Sequence, residues 1–126
     1  MSHSVLKSRC KDAEIALDTD LAGNPEAFNP AELLLAAISA CMIKRIERVT
    51  PILKFSLKGV EVHLRGVRQD FPPKMESIDY EIIVDTDKTE QRLELLHENV
   101  KKYGTVFNKV APGTVLSGVL RRRLPS

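Results

Sequence analysis

Alternation of apolar and polar residues along the chain predicts its strands. Between Ser4 and Asp20 the alternation is loose, which indicates one or two short strands. It is strict over residues 60–64 and 78–84, which predicts two half-buried strands joined by a proline-containing loop. Residues 114–120 form a fourth apolar segment after an Ala-Pro-Gly turn, and we expect a final strand there.

A long helix is predicted between the first strands and the strict alternation. Asn29 suits its N-cap and Pro30 its first turn, and Thr50-Pro51 stops it near Val49. The first three turns, residues 33–43, are apolar on nearly every side. A helix of this kind must be enclosed on every side. We therefore expect a second subunit to help cover it.

A second helix follows the strand pair. Asp87 and Glu90 have the spacing of a capping box that opens it, and Gly104 suits its C-terminal end. Residues 106–110 favour a further short helical segment. The order of strands, long helix, strand pair, helix and strand predicts an α+β fold, formed by a single domain over residues 1–126.

Composition and charge limit the function. The net charge of +2 is too small to indicate a nucleic-acid partner or a membrane surface, and Arg121-Arg122-Arg123 lacks interleaved aromatic residues. The apolar run ends at Lys44, too early to span a bilayer. The N-terminus lacks the pattern of a secretory signal, and the chain's two cysteines suit free thiols in a reducing compartment. We expect a cytoplasmic protein.

Residues 29–41 carry a motif that extends from an Asn-Pro pair to Cys41. They resemble the OsmC/Ohr signature, Asn-Pro-x-Glu-Leu-Leu-x-Ala-Ala-x-x-x-Cys. The resemblance extends over most of the chain, through the order of its strands and helices. It implies the OsmC-like fold, in which an antiparallel sheet wraps around long central helices in an intertwined homodimer. Its active sites would lie at the subunit interface.

The resemblance also implies an activity. Active family members are thiol-dependent peroxidases that reduce organic hydroperoxides in the response to oxidative stress. Cys41 falls on the position of the peroxidatic cysteine. A glutamate at the helix start and an arginine near the N-terminus orient its thiolate, and the candidates here are Glu32 and Arg9.

The family's second, resolving cysteine has no counterpart in this chain. Its Cys-Pro motif would fall at residues 103–106, where Gly104 or Thr105 takes its place. The two-cysteine cycle therefore does not transfer. Resolution of a Cys41 sulfenic acid is left either to Cys10 or to an external thiol reductant. Tyr103, beside the lost cysteine, is predicted to line the pocket.

Other interpretations of the chain stay open. Cys41 is equally a small buried hydrophobe, as free cysteines often are. A non-catalytic relative would instead bind a small apolar or lipid-like ligand at the dimer interface. The three histidines, His3, His63 and His97, show no metal-ligand spacing, and the sequence contains no glycine-rich phosphate loop. We therefore expect neither a metal nor a cofactor.

Overall fold

The computed structural model describes the backbone of residues 6–124, and the side chains within that range except those of residues 6–10 and 105. The chain divides into two compact units, Met1–Ala36 and Ala37–Ser126. The described elements, in chain order, are β1 (Leu6–Cys10), β2 (Ala13–Leu17), α1 (Pro30–Val49), β3 (Gly59–Gln69), β4 (Lys74–Asp85), α2 (Glu90–Tyr103), α3 (Thr105–Val110) and β5 (Val115–Arg122).

The first unit contains a β-hairpin and the beginning of α1. β1 and β2 pair antiparallel from Leu6 opposite Leu17 to Cys10 opposite Ala13. The turn between them places Lys11 at a positive φ of 57°, which a tight turn requires. After β2, the backbone N–H of Asp18 donates to the carbonyl of Phe28 at 2.8 Å, which brings the chain back just before the helix.

The beginning of α1 is fixed by a reciprocal capping box. Asn29 Oδ1 accepts from the backbone N–H of Glu32 at 2.8 Å, and Glu32 Oε1 accepts from the backbone N–H of Asn29 at 3.0 Å. The helix then runs to Val49, as predicted. Leu33, Leu34 and Leu35, in its first two turns, remain only half-buried within this chain.

The second unit contains a three-stranded sheet in the order β3-β4-β5. β3 and β4 form an antiparallel pair from Gly59 opposite Asp85 to Gln69 opposite Lys74. The expectation of a purely antiparallel sheet is wrong for β5, which runs parallel to β4 with Ser77 opposite Val115. The physical reason is the connection: α2 and α3 separate the two strands, and a crossover of this length returns the chain in the same direction. The α+β class is confirmed.

The start of α2 lies slightly later than the Asp87–Glu90 capping box predicts. Its N-cap is Thr89, whose hydroxyl accepts from the backbone N–H of Arg92 at 3.4 Å. The C-cap is Gly104, as predicted, and its N–H donates to the carbonyl of Val100. α3 follows at once, so one glycine ends one helix and begins the next.

The core of the second unit is formed mainly by apolar side chains of α1, β4 and α2. Ile38, Met42 and Ile46 recur every four residues on α1 and are fully buried. Each buried side chain of this size contributes roughly 1.5–3 kcal/mol relative to an exposed one. Further buried members, which follow the predicted alternation on β4 and the helical period on α2, are Ile78, Tyr80, Ile82, Val84, Leu93, Leu96 and Val100.

One polar pair lies at the edge of this core. The Tyr80 hydroxyl and His97 Nε2 are 2.6 Å apart, and Tyr80 is buried while His97 is half-buried. Desolvation raises the pKa of Tyr80 to about 12, with help from Glu98. Desolvation and the charge of Lys101 lower the pKa of His97 below its ordinary 6.5. Both groups are therefore neutral near pH 7, with Tyr80 donating to His97.

The Tyr80–His97 pair should make stability depend on pH. A histidine pKa lowered by folding means that the unfolded chain takes up its proton first as the pH falls below 6.5. Unfolding free energy should therefore decline from about pH 7 towards about pH 5, and His97→Gln should remove part of this decline. Tyr80→Phe should cost about 1 kcal/mol at about pH 8 because the hydrogen bond is lost. Urea denaturation at several pH values measures both effects; a His97→Gln profile parallel to wild type would contradict the assignment.

Candidate functional site

Cys41 lies midway along α1 with a free, half-buried thiol. It opens onto a cavity of about 340 Å³ within the second unit. The lining comes from the exposed side of α1 and from the junction of α2 with α3. The lining residues are Ala37, Ala40, Cys41, Lys44, Arg45, Arg48, Tyr103, Gly104 and Val106.

Three basic residues share the cavity with the thiol. Lys44, Arg45 and Arg48 come three, four and seven residues after Cys41, which places them along the same side of α1. Cations beside a cysteine favour its thiolate form, the nucleophilic one. The arrangement therefore has the charge that a reactive cysteine needs, supplied by its own helix.

Arg45 is held in place by two residues of α2. Its Nε donates to Asn99 Oδ1 at 2.9 Å, and its guanidinium carbon lies 5.0 Å from the centre of the Tyr103 ring. The Lys102 ammonium lies 5.4 Å from the centre of the same ring. A guanidinium fixed in this way adds its charge to the cavity without the entropy cost of ordering a free side chain. Tyr103 thus lines the cavity that contains Cys41.

The backbone of Gly104 lies close to the sulfur of Cys41. A Cβ built at position 104 would lie 3.5 Å from Cys41 Sγ. It would also lie 2.9 Å from the carbonyl oxygen of Val100 and 3.1 Å from Phe107 Cβ. The 2.9 Å distance to the Val100 oxygen is shorter than real Cβ contacts, so position 104 accepts only glycine unless the backbone moves.

The other predicted site residues belong to the first unit. The Glu32 carboxylate accepts a hydrogen bond at the N-terminus of α1, in the capping box with Asn29. Arg9 and Cys10 are part of β1, but their side chains lie outside the described residues. Their predicted roles beside Cys41 stay predictions.

The sequence analysis missed Lys44, Arg45 and Arg48 as site residues. In the sequence they are simply the first polar residues after the apolar run of residues 33–43. Their spacing from Cys41 was the available signal, because positions three, four and seven residues later share one side of a helix.

The second basic cluster of the chain has a structural explanation. Arg121, Arg122 and Arg123 pair with Glu81 on β4, Glu90 on α2 and Glu61 on β3, at 3.1, 2.8 and 2.9 Å. The Arg123 guanidinium, by its hydrogen bond, holds the pKa of Glu61 below its ordinary value. The end of β5 is thereby tied to three other elements.

Two further features, a metal-binding group and a membrane-spanning helix, are absent from the described residues. These residues contain no group of three or more His, Cys, Asp or Glu side chains placed to hold a metal ion. None of the helices described has the length and apolar content that a membrane crossing needs.

Comparison with known proteins identifies the class to which this fold and site belong. The family model of the OsmC-like proteins matches residues 23–117, so the chain belongs to the OsmC-like protein family. The match covers the N-cap of α1, Cys41, the sheet and the α2–α3 junction. The resemblance of residues 29–41 to the OsmC/Ohr signature is confirmed. No curated protein matches the sequence significantly.

Solved structures show the same fold. An OsmC-like protein from Mycoplasma pneumoniae superposes with a TM-score of 0.86 at 15% identity, over 96% of this chain and 90% of that one. An organic hydroperoxide resistance protein from Elizabethkingia anophelis gives 0.74 at 14% identity, over 98% and 99% of the two chains. Another, from Legionella pneumophila, gives 0.66 at 16%, over 97% and 98%. The predicted OsmC-like fold is confirmed.

The close approach at Gly104 generates a prediction about stability. Gly104→Ala should lower the unfolding free energy by about 1–3 kcal/mol, because the new methyl group collides with the backbone of α2. Gly59→Ala is the matched control, since a Cβ there meets nothing within 4 Å. Its effect should stay within about 0.5 kcal/mol. Chemical denaturation compares the two variants, and equal stability would contradict the crowding at Gly104.

Proposed function

We propose that this protein is a thiol-dependent reductase of organic hydroperoxides that acts through Cys41. The observation that carries the proposal is the half-buried Cys41 thiol in a cavity bordered by Lys44, Arg45 and Arg48. Membership of the OsmC-like family and the names of two structural relatives, organic hydroperoxide resistance proteins, support the choice of substrate. The proposed setting is antioxidant defence in the cytoplasm.

The reaction begins with attack of the Cys41 thiolate on one oxygen of the peroxide bond. The O–O bond breaks, the sulfur keeps one oxygen as a sulfenic acid, and the other oxygen leaves as an alcohol after taking up a proton. Negative charge moves from the sulfur to the departing oxygen during this step. The cations of the cavity stabilise the alkoxide as it forms.

Return of the sulfenic acid to the thiol requires a second thiol. In the sequence resemblance the resolving cysteine falls at Gly104 or Thr105, and a side chain at Gly104, whose Cβ would lie 3.5 Å from Cys41 Sγ, has no room. We therefore propose an external thiol reductant for the second half of the cycle. It condenses with the sulfenic acid to a mixed disulfide and water.

The cavity gives less support to a role as a binder of apolar or lipid-like ligands. Three basic residues line it. An apolar ligand there would remove charged groups from water without compensation, which costs free energy. A role at a subunit interface stays the competing proposal, because a partner chain contributes surface of its own.

The peroxidase proposal predicts that the activity depends on Cys41. Wild-type protein with excess dithiothreitol should consume cumene hydroperoxide catalytically, and Cys41→Ser should lose essentially all of this activity because the attacking thiol is removed. The sulfenic acid should appear on the Cys41 peptide after peroxide treatment without reductant, as mass spectrometry can show. Consumption no faster in wild type than in Cys41→Ser would refute the proposal.

We also propose that the protein works as a homodimer that covers the first turns of α1. Leu33, Leu34 and Leu35 are half-buried within one chain, and enclosing them would remove apolar surface from water. Light scattering should give twice the mass of one chain. Leu34→Glu should shift the protein towards monomer, whereas Leu21→Glu, at a fully exposed leucine, should not. A wild-type protein that is monomeric at high concentration would rule this out.

A further inference from the structure

The three cations beside Cys41 have no carboxylate partners among the described residues. Lys44, Arg45 and Arg48 take part in none of the ion pairs found there. Arg45 is bound by a neutral amide and a neutral ring. Among the described residues that line the cavity, none is acidic. The lining of the cavity that contains Cys41 therefore carries a net positive charge.

The other basic cluster of the second unit is neutralised by ion pairs. Arg121, Arg122 and Arg123 are equally close together in sequence, and each has a glutamate partner from another element. The cations beside Cys41 thus differ from a cluster whose role is to tie elements together. Unneutralised positive charge around a nucleophile favours negatively charged reactants.

The geometry at Gly104 decides how a second reactant reaches the sulfur. Residues 103–106 contain no cysteine, so this segment offers no thiol of its own, and a side chain at Gly104 has no room. Gly104 and Cys41 both line the cavity, together with the three cations. A thiol that enters the cavity to reach Cys41 Sγ therefore passes the charges of Lys44, Arg45 and Arg48.

We infer that the reductant of Cys41 is a small thiol that carries one or more carboxylate groups. This inference rests on the proposed peroxidase function and names its second substrate. One molecule of thiol displaces the hydroxyl group of the Cys41 sulfenic acid, which gives a mixed disulfide and water. A second molecule attacks the mixed disulfide, which releases the reduced Cys41 thiol and a small disulfide. The two thiols are oxidised and the sulfenic sulfur is reduced by two electrons.

A charge series of small thiols tests the inference. Reduced wild-type protein is treated with one equivalent of cumene hydroperoxide and then mixed with mercaptosuccinate, mercaptopropionate, mercaptoethanol or cysteamine. Mass spectrometry with peptide mapping follows the mixed disulfide on Cys41, and rates are expressed per thiolate to remove differences in thiol acidity. The order should follow negative charge, with mercaptosuccinate about tenfold faster than mercaptoethanol at low salt. The preference should shrink as salt is added.

Variants connect the preference to the cavity. Lys44→Gln with Arg48→Gln should reduce the ratio of anionic to neutral rates about tenfold, and both positions are exposed, so folding should be preserved. Arg45 is left intact because it packs against Asn99 and Tyr103. Arg68→Gln, at an exposed residue of β3 that does not line the cavity, is the matched control and should keep the wild-type ratio.

A second measurement separates this inference from the peroxidase proposal. Reduced Cys41 is exposed to dithiodipropionate, hydroxyethyl disulfide or cystamine, and the mixed disulfide on Cys41 is followed without any peroxide. The anionic disulfide should react fastest, and more so at low salt. Absence of a sulfenic acid combined with this preference would refute the peroxidase proposal alone. Equal rates across the charge series, or a preference unchanged in the double variant, would overturn the inference about the anionic thiol.

Discussion

The backbone turns so tightly where α2 meets α3 that no side chain fits at Gly104 without a shift of its neighbours. A Cβ there would collide with the carbonyl of Val100 and contact Cys41 Sγ. α2 ends and α3 begins at this tight junction, and its neighbours Tyr103 and Val106 line the cavity that contains Cys41. Tyr103 in turn helps to hold Arg45. The site beside Cys41 therefore depends on a position that is defined by the absence of a side chain.

Local rules explain the elements that could be predicted from the sequence. Asn29 and Pro30 define the beginning of α1 by capping, and the period of its apolar residues defines its length. The alternation of β3 and β4 gives their less exposed faces in the same way, except at Ile83, which is buried between Ile82 and Val84. Alternation says nothing about strand direction, however, because side chains point to the same faces in parallel and antiparallel pairs. The orientation of β5 depends on the α2–α3 crossover, and the sequence analysis did not use it.

The site was predictable only where it follows helix geometry. Cys41 stood out by its motif, and its three basic neighbours could have been grouped with it from their spacing alone. The nearness of Gly104 to Cys41 is of another kind, because it joins residues far apart in sequence through the packing of helix ends. The N-cap of α2 shows the same limit on a smaller scale. Both Asp87 and Thr89 are residue types that suit an N-cap, and in the structure the N-cap is Thr89.

In the proposed cycle, a peroxidatic cysteine that is resolved by an external thiol places a different demand on its surroundings. A resolving thiol within the same chain acts at a high effective concentration, whereas an external thiol must arrive by diffusion. A unit charge about 6 Å from a fixed cation in water gains about 0.7 kcal/mol, roughly threefold in local concentration. Lys44, Arg45 and Arg48 together act in the same direction on any anionic reactant that enters the cavity. In the proposed cycle, the basic side of α1 therefore raises the local concentration of an external anionic thiol, and this offsets part of the high effective concentration that a resolving cysteine at position 104 would have.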